Sequence, residues 1–474
     1  MTHHWIVLKF GGTSVASKRQ WDTIGSLAES RREEGFRVLL VCSAVAGVTD
    51  LLDALTRQPE SEQLCEDILD IHRRLGQALG VDEQHWLPQA ETLLRKHVND
   101  LIHEPGYRHR AALVAMGEWM STKMGCCYLQ QRFDIAWVDA REALEAAEDH
   151  NTSAARKWLS ANCHAAEAPG LASRWSALSP VLITQGFVAS NNTGQTVLLG
   201  RGGSDTSAAL LAGRLSAQRL EIWTDVPGLF SADPRLIKDA RLLIEVDYAE
   251  ALEMAASGAK VVHPRCIRAA AETSTPVTIG DLNRMSVTGT RIGKKLADVH
   301  GIKTVTCQHN MVVVLLQNLD ARVQVGFLAG VFEIFRRSGI SVDLVATSET
   351  TTTVAVNCAS NHLGDNDLKD LCEDLGSLCK VKLFSNCVCI NLVGRGVRTA
   401  LSRLQNVMRY FEKRPLLMAS QSANDLCLSL LIHADDHERL LKDAHTVLIP
   451  TVEDTQNETT VFGASWQQIQ QVIE

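Results

Sequence analysis

The sequence has little that would tie it to nucleic acid, a membrane or an oxidising compartment. Lysine and arginine number 47 against 55 aspartates and glutamates, a formal net charge of −8, which leaves no basic footprint for a polyanion. The basic clusters Arg31-Arg32, His72-Arg73-Arg74 and Arg108-His109-Arg110 are short and scattered, as solvated helix faces are. No uninterrupted apolar run approaches the roughly 18 residues of a spanning helix, and the run over 5–8 is far shorter than a signal-peptide core. No leader, membrane or nucleic-acid partner is therefore expected. Thirteen cysteines form neither a CxxC pair nor a Cys/His cluster with zinc spacing, the nearest cases being Cys126-Cys127 and Cys387-x-Cys389. An odd number of scattered cysteines points to reduced thiols in a cytoplasmic protein and to no metal ligated by the chain.

What is present is the composition of a globular protein. Apolar residues make up 45% and charged residues 22% of 474 residues, and at roughly 150 residues per domain the chain should form two to four domains. Residues 6–14, IVLKFGGTS, read as a strand, a glycine turn and the start of a helix. Such a junction aims unpaired backbone N–H groups and a helix dipole at one spot, which suits a phosphate. Lys9 adds a mobile positive charge there. The same nine residues also suit an ordinary turn that binds nothing.

Helical spacing of Trp21, Ile24, Leu27 and Ala28, followed by RVLLVCS over 37–43, predicts a βαβ unit with a parallel sheet. The second strand ends in SAVAGVT over 43–49, so two glycine-bearing loops should lie at one sheet edge, where α/β proteins bind ligands. A helix over 110–123 places Glu118 among Leu113, Val114, Met116 and Met120. That carboxylate must be paired or face a cleft, unless it lies on a broad polar stripe. Residues 180–189 read as one strand. TVLLGRGGSD over 196–205 then reads as a strand, a glycine loop carrying Arg201, and a helix N-cap at Ser204 or Asp205. Residues 284–303 are polar and without a clear period, as a linker is. Beyond them, strand and helix patterns recur as two βαββαβ units of ferredoxin-like type.

VLKFGGTSV, SAVAGVT, MGEWMS, LGRGGSD, WTDVPGLFSADPR and SGAKVVHP occur in the order and rough spacing of the aspartokinases. The chain resembles that family, of the amino-acid kinase superfamily, over nearly its whole length. The resemblance implies an α/β chain with a three-layer αβα amino-acid kinase fold and mainly parallel sheet over 1–283, a linker over 284–303, and ferredoxin-like ACT units over 304–384 and 385–474. It implies ATP-dependent phosphorylation of the aspartate side-chain carboxylate to 4-phospho-L-aspartate, the entry to lysine, threonine and methionine synthesis. Mg²⁺ would be carried on the nucleotide phosphates.

Carried over position by position, the resemblance makes Lys9 and Asp205 the catalytic pair. Thr49, Glu118, Arg201, Gly202, Gly203 and Ser204 fall to L-aspartate. Lys9, Phe10, Gly11, Gly12, Thr224, Asp225, Phe230, Arg235, Lys260 and Val261 fall to ATP. Phe230 stands where tyrosine is frequent, which removes one adenine-side hydrogen bond. Gly326, Phe327, Asp343, Thr347, Ser348 and Glu349 match an amino-acid effector site, lysine first and threonine next, although Gln324-Val325 and Ala321 depart from one lysine-sensitive branch. ACT units commonly pair between chains, which implies a homodimer or larger. The family also includes fusions to a diaminopimelate decarboxylase, and the uncapped helical pattern over 461–474 leaves that arrangement open.

Overall fold

A computed structural model describes residues 4–148, 152–259, 261–294, 300–317, 325–400, 405–412, 415–435, 437–451 and 461–471. The chain divides into two compact units. The first comprises residues 1–229, 244–252 and 260–297, and the second residues 230–243, 253–259 and 298–474.

The first unit is built on an eight-stranded sheet. Its strands run in the order Ile135–Trp137, Val181–Gln185, Arg37–Cys42, Trp5–Phe10, Arg219–Thr224, Val277–Asp281, Thr290–Gly293 and Glu245–Asp247. Every pairing is parallel except that between Val277–Asp281 and Thr290–Gly293. The Trp5–Phe10 strand is central and all six of its residues are buried, which is why its sequence runs apolar instead of alternating. Each Ile, Val or Leu so buried contributes about 1.5–3 kcal/mol. Lys9 is the exception in that run, only 8% exposed.

Several boundaries differ from the sequence reading, each for a local reason. The turn after Phe10 is a 3₁₀ segment, Gly12–Val15, closed by Ser14 N–H donating to Gly11 O. The helix Lys18–Glu33 starts later, where Ser17 Oγ accepts from Gln20 N–H. The helix dipole therefore does not begin on the glycines. The expected helix over 110–123 is two helices, Tyr107–Val114 and Met116–Leu129, so Glu118 falls in a first turn. The expected strand over 180–189 breaks at Gly186-Phe187, where Phe187 takes a φ of 68°. Val188–Ser190 then pairs separately with Thr196–Leu198. The stretch read as a linker contributes Thr290–Gly293 to the sheet.

The second unit contains one antiparallel six-stranded sheet. Its order is Leu344–Thr347, Thr351–Asn357, Gly301–Gln317, Lys380–Arg395, Cys427–His433 and Met418–Gln421. The two expected repeats thus share a single sheet, joined by the long central strands Gly301–Gln317 and Lys380–Arg395. Alternation along the first of these sends Val312, Val314 and Leu316 to a core with Val331, Phe335 and Leu371. Met311 and Val313 go to the other face, with Cys389 and Leu431. The expected helix over 397–411 is seen as Val397–Ala400, Gln405–Met408 and a 3₁₀ turn Arg409–Glu412. Among the described residues no helix is long and apolar enough to cross a membrane.

In the first unit, Met116–Leu129 packs closely on the helix Lys18–Glu33. A Cβ on Gly125 would stand 2.0 Å from the Trp21 ring, whose Nε1 donates to Val15 O at 3.0 Å. Helix propensity alone would favour Gly125→Ala by up to about 1 kcal/mol. Overpacking costs about 1–3 kcal/mol and wins. Gly125→Ala should therefore lower the urea midpoint of unfolding, and an unchanged or raised midpoint would contradict this packing.

Candidate active site

The carboxyl ends of the two strands Trp5–Phe10 and Arg37–Cys42 are stitched together. Ser43 N–H donates to Phe10 O at 3.1 Å and Ala46 N–H to Gly12 O at 3.2 Å. A Cβ on Gly12 would lie 2.8 Å from Ala44 O, so the two loops meet at backbone distance only because this residue has none. Gly11 lies beside the Lys9 ammonium, its would-be Cβ 3.6 Å from Nζ.

Lys9 Nζ reaches Asp205 Oδ1 at 2.5 Å, with the two side chains only 10% and 14% exposed. Asp205 is available because it does not cap its helix. Gly203–Arg214 begins on Gly202, which is in the left-handed region with a φ of 63° and takes the N-cap position without a side-chain bond. Ser204 and Asp205 follow inside the first turn. This corrects the N-cap expectation, and the reason is glycine's access to positive φ. Gly203 admits the Phe187 ring, to which a Cβ would come within 2.3 Å, and Phe187 N–H donates to Ser207 Oγ at 3.1 Å.

Glu118 is 3% exposed. A Cβ on Gly117 would lie 2.8 Å from Ala44 Cβ, so its helix presses directly on the 43–49 loop. Desolvation pushes the Glu118 carboxyl up to about 8, against the backbone N–H groups of Ala44 and of Glu118 itself, which favour its charged form. Among the described residues Oε2 is buried without a hydrogen-bond partner. A cationic ligand group would satisfy that oxygen and restore the charge. Thr49 is the second residue of the helix Val48–Arg57, half-buried on the same loop.

Arg201 is exposed between Gly200 and Gly202, whose φ values are 73° and 63°. Neither an ion pair nor a hydrogen bond joins it to Glu118 among the described residues. His263 sits against this turn, a Cβ on Gly202 falling 2.3 Å from the His263 Cβ. Its Nδ1 accepts from Arg265 N–H at 3.3 Å. Desolvation first, and then the Arg265 charge, hold its pKa down, while Asp205 raises it and Arg201 lowers it. In the sequence His263 stands out only within SGAKVVHP, and Phe187 does not stand out from the apolar run around it. A histidine before a helix-starting proline was the signal for the first; an aromatic with positive φ leaves none.

The expected nucleotide residues are distributed. Thr224 ends the Arg219–Thr224 strand and its Oγ1 donates to the exposed Asp225 at 3.0 Å. Val261 is half-buried in a turn. Lys260 lies outside the described residues. Phe230 and Arg235 belong to the second unit. There Phe230 is 7% exposed with its ring edge-on to Trp466 at 5.6 Å, and Arg235 is held on Asp233 at 2.7 Å.

Also in the second unit, Phe327, Thr347, Ser348 and Glu349 line one cavity of about 270 Å³. Gly326, with a φ of 90°, starts the helix Phe327–Arg337 beside it. Asp343 does not line that cavity; its Oδ2 accepts from Asn357 N–H at 2.7 Å. A larger cavity of about 790 Å³ in the first unit is lined by Arg156, Lys157, Asn162, Arg265 and Arg268 among others. It contains none of the expected substrate or nucleotide residues, and size alone does not select the site.

Residues 4–281 match the amino acid kinase family. Lysine-sensitive aspartokinase 3 of Escherichia coli is 32% identical over 94% of this chain and 99% of its own length. The crystal structure of E. coli aspartokinase III in complex with aspartate and ADP, in the R-state, superimposes with a TM-score of 0.80 at 30% identity, covering 94% of this chain and all of that one. The T-state complex with lysine and aspartate gives 0.77 at 28% identity, over 94% of this chain and 99% of that one. Identity of this extent across both units, together with the glycine-turn lysine and its carboxylate partner, establishes that the chain belongs to the amino acid kinase family and, within it, to the aspartokinases.

Proposed function

We propose that this aspartokinase transfers the γ-phosphoryl group of ATP to the side-chain carboxylate of L-aspartate at the Lys9–Asp205 pair. The observation that carries the reading is that buried ion pair at 2.5 Å, set on the glycine turn of the central strand. A carboxylate nucleophile is already ionised at neutral pH and needs no general base. It needs alignment and neutralisation of charge on the transferring group. Lys9 supplies a positive charge, and Asp205 fixes where that charge stands. Glu118 receives the substrate ammonium and Arg201 its α-carboxylate, a cation and an anion for a zwitterion.

Mg²⁺ suits this site as an ion held on the nucleotide phosphates. Among the described residues no three carboxylates come together as a cage; the one group of three candidate ligands is of cysteine and histidine, the wrong donors for it. Bound there, it would supply neutralisation of phosphate charge. The cavity beside Phe327, Ser348 and Glu349 is assigned to an amino-acid effector, lysine first and threonine next. The E. coli complex with lysine and aspartate supports the lysine choice. The remaining parts of the reading are the two ACT units, their pairing between chains into a homodimer or larger, and a cytoplasmic location.

Lys9→Ala and Asp205→Ala should each lower kcat in an ATP-dependent aspartate hydroxamate assay by about 10²–10³-fold, the scale of losing one charge-stabilising group. Near-normal turnover in either folded variant would remove the assignment.

Glu118 generates a pH test. Its carboxyl is held up to about 8 in the free protein, so the substrate ammonium meets a neutral acid below that pH. KM for aspartate should fall as pH rises from 6 towards 8 and then level. Glu118→Gln should raise KM about 10–100-fold and abolish the pH dependence. Stability should move the other way. The folded chain keeps a proton that the unfolded chain releases near 4.5, so this group's contribution declines as pH rises from about 4.5 to about 8. Thermal unfolding of Glu118→Gln should lose that decline, and identical pH profiles for the two proteins would contradict the assignment.

For the effector, Glu349→Gln should raise the lysine concentration for half-inhibition by about 10-fold or more while leaving uninhibited kcat unchanged. Unaltered lysine inhibition in that variant would exclude the cavity as the lysine site.

A further inference from the structure

We propose that Cys307, His309 and His437 of the second unit form a site for a zinc-class transition-metal ion, distinct from the phosphoryl-transfer site and independent of the aspartokinase reading. The potential ligand atoms of the three residues all lie within 4.8 Å of one another, and they are the one such group among the described residues. The set is one thiol and two imidazoles, the soft and borderline donors that select zinc over magnesium or calcium. Three protein ligands leave a fourth position for water.

Two elements build the group. Cys307 and His309 lie two apart on the Gly301–Gln317 strand and so share a face. His309 falls where the register with the Lys380–Arg395 strand shifts: Gln308 pairs with Cys389, and the next pair is Met311 with Cys387. Asn310 takes a φ of 59° in this irregularity. A bulge of this kind re-aims the side chains it carries. His437 comes from the start of the helix His437–Leu448, and its ring stands edge-on to that of His309, centroids 5.0 Å apart. Ligation of two imidazoles by one ion fits that spacing.

The tautomer of His437 is also suited to ligation. Its Nδ1 lies 2.6 Å from Ala434 O; a proton on Nδ1 donated to that carbonyl leaves the lone pair of Nε2 for an ion. A backbone carbonyl on the second ring nitrogen is the arrangement that fixes metal-ligating histidines elsewhere. Sequence spacing gave no sign of the site, because His437 is far from Cys307 along the chain. An ion here would tie the central strand of the six-stranded sheet to this helix, and so stiffen the second unit.

The test uses the full chain, stripped with EDTA and kept reduced. One equivalent of Co²⁺ should produce a sulfur-to-metal charge-transfer band with intense tetrahedral d–d bands, and one equivalent of Zn²⁺ should displace it and raise Tm, reversibly with EDTA. Cys307→Ser should abolish the charge-transfer band, and His437→Gln should weaken Zn²⁺ binding by more than about 100-fold, beyond the loss seen for an outer-shell partner. Cys372→Ser should behave as the unaltered chain. Absence of both the band and the Tm rise in the unaltered chain overturns the proposal whatever the variants do. A band that survives Cys307→Ser, or Zn²⁺ affinity unchanged in folded His437→Gln, places the ion elsewhere and overturns it equally.

Discussion

The structure of the first unit depends on placing one lysine in an otherwise apolar central strand. A buried ammonium without a partner would cost several kcal/mol, and a partner must come from outside the strand. Asp205 is that partner, at 2.5 Å. It can serve because the preceding loop hands the N-cap position to Gly202. The glycines that let Gly12 approach Ala44, and Gly203 approach Phe187, are the backbone conditions for bringing these two ends together. Geometry and chemistry share a cause here: the pair held for stability of a buried charge is also the pair that meets the transferring phosphoryl group in the proposed reaction.

Glu118 presents the complementary case, a buried carboxyl that no cation pairs among the described residues. Its Oε2 has no hydrogen-bond partner among the described residues and desolvation pushes the carboxyl up to about 8. A carboxyl in that state contributes less to the free fold as pH rises from about 4.5 to about 8, and its charged form would be favoured by a cationic ligand group. In the proposed reaction, the ammonium of aspartate would restore the stability lost to that carboxyl, and substrate recognition would be coupled to release of its proton.

Much of this was legible in the sequence where the determinants are local. The buried strands at Trp5–Phe10 and Arg37–Cys42 show as apolar runs, and the glycine loops as breaks between them. The mainly parallel sheet and the strand–helix alternation of the second unit follow from the same patterns. The break at Ala115 was not legible, since neither glycine nor proline marks it. The turn at Phe187 was hidden because GFVAS continues the strand's apolar character while the backbone goes to positive φ. The common sheet of the second unit was hidden too, because two long central strands read as short strands of separate repeats. The Lys9–Asp205 contact, joining distant segments, came from family resemblance and not from spacing. The Cys307–His309–His437 group had neither source.

The central claim is that Lys9 and Asp205 act as one unit in phosphoryl transfer. The most direct measurement is a double-mutant cycle on kcat for aspartyl phosphate formation, with Lys9→Ala, Asp205→Ala and the double variant, each verified as folded. If Asp205 works by positioning Lys9, the double variant should be about as slow as Lys9→Ala alone, so that the coupling energy equals the whole Asp205→Ala loss, about 2.7–4 kcal/mol. Losses that simply add, or an Asp205→Ala variant with unimpaired turnover, would contradict the account.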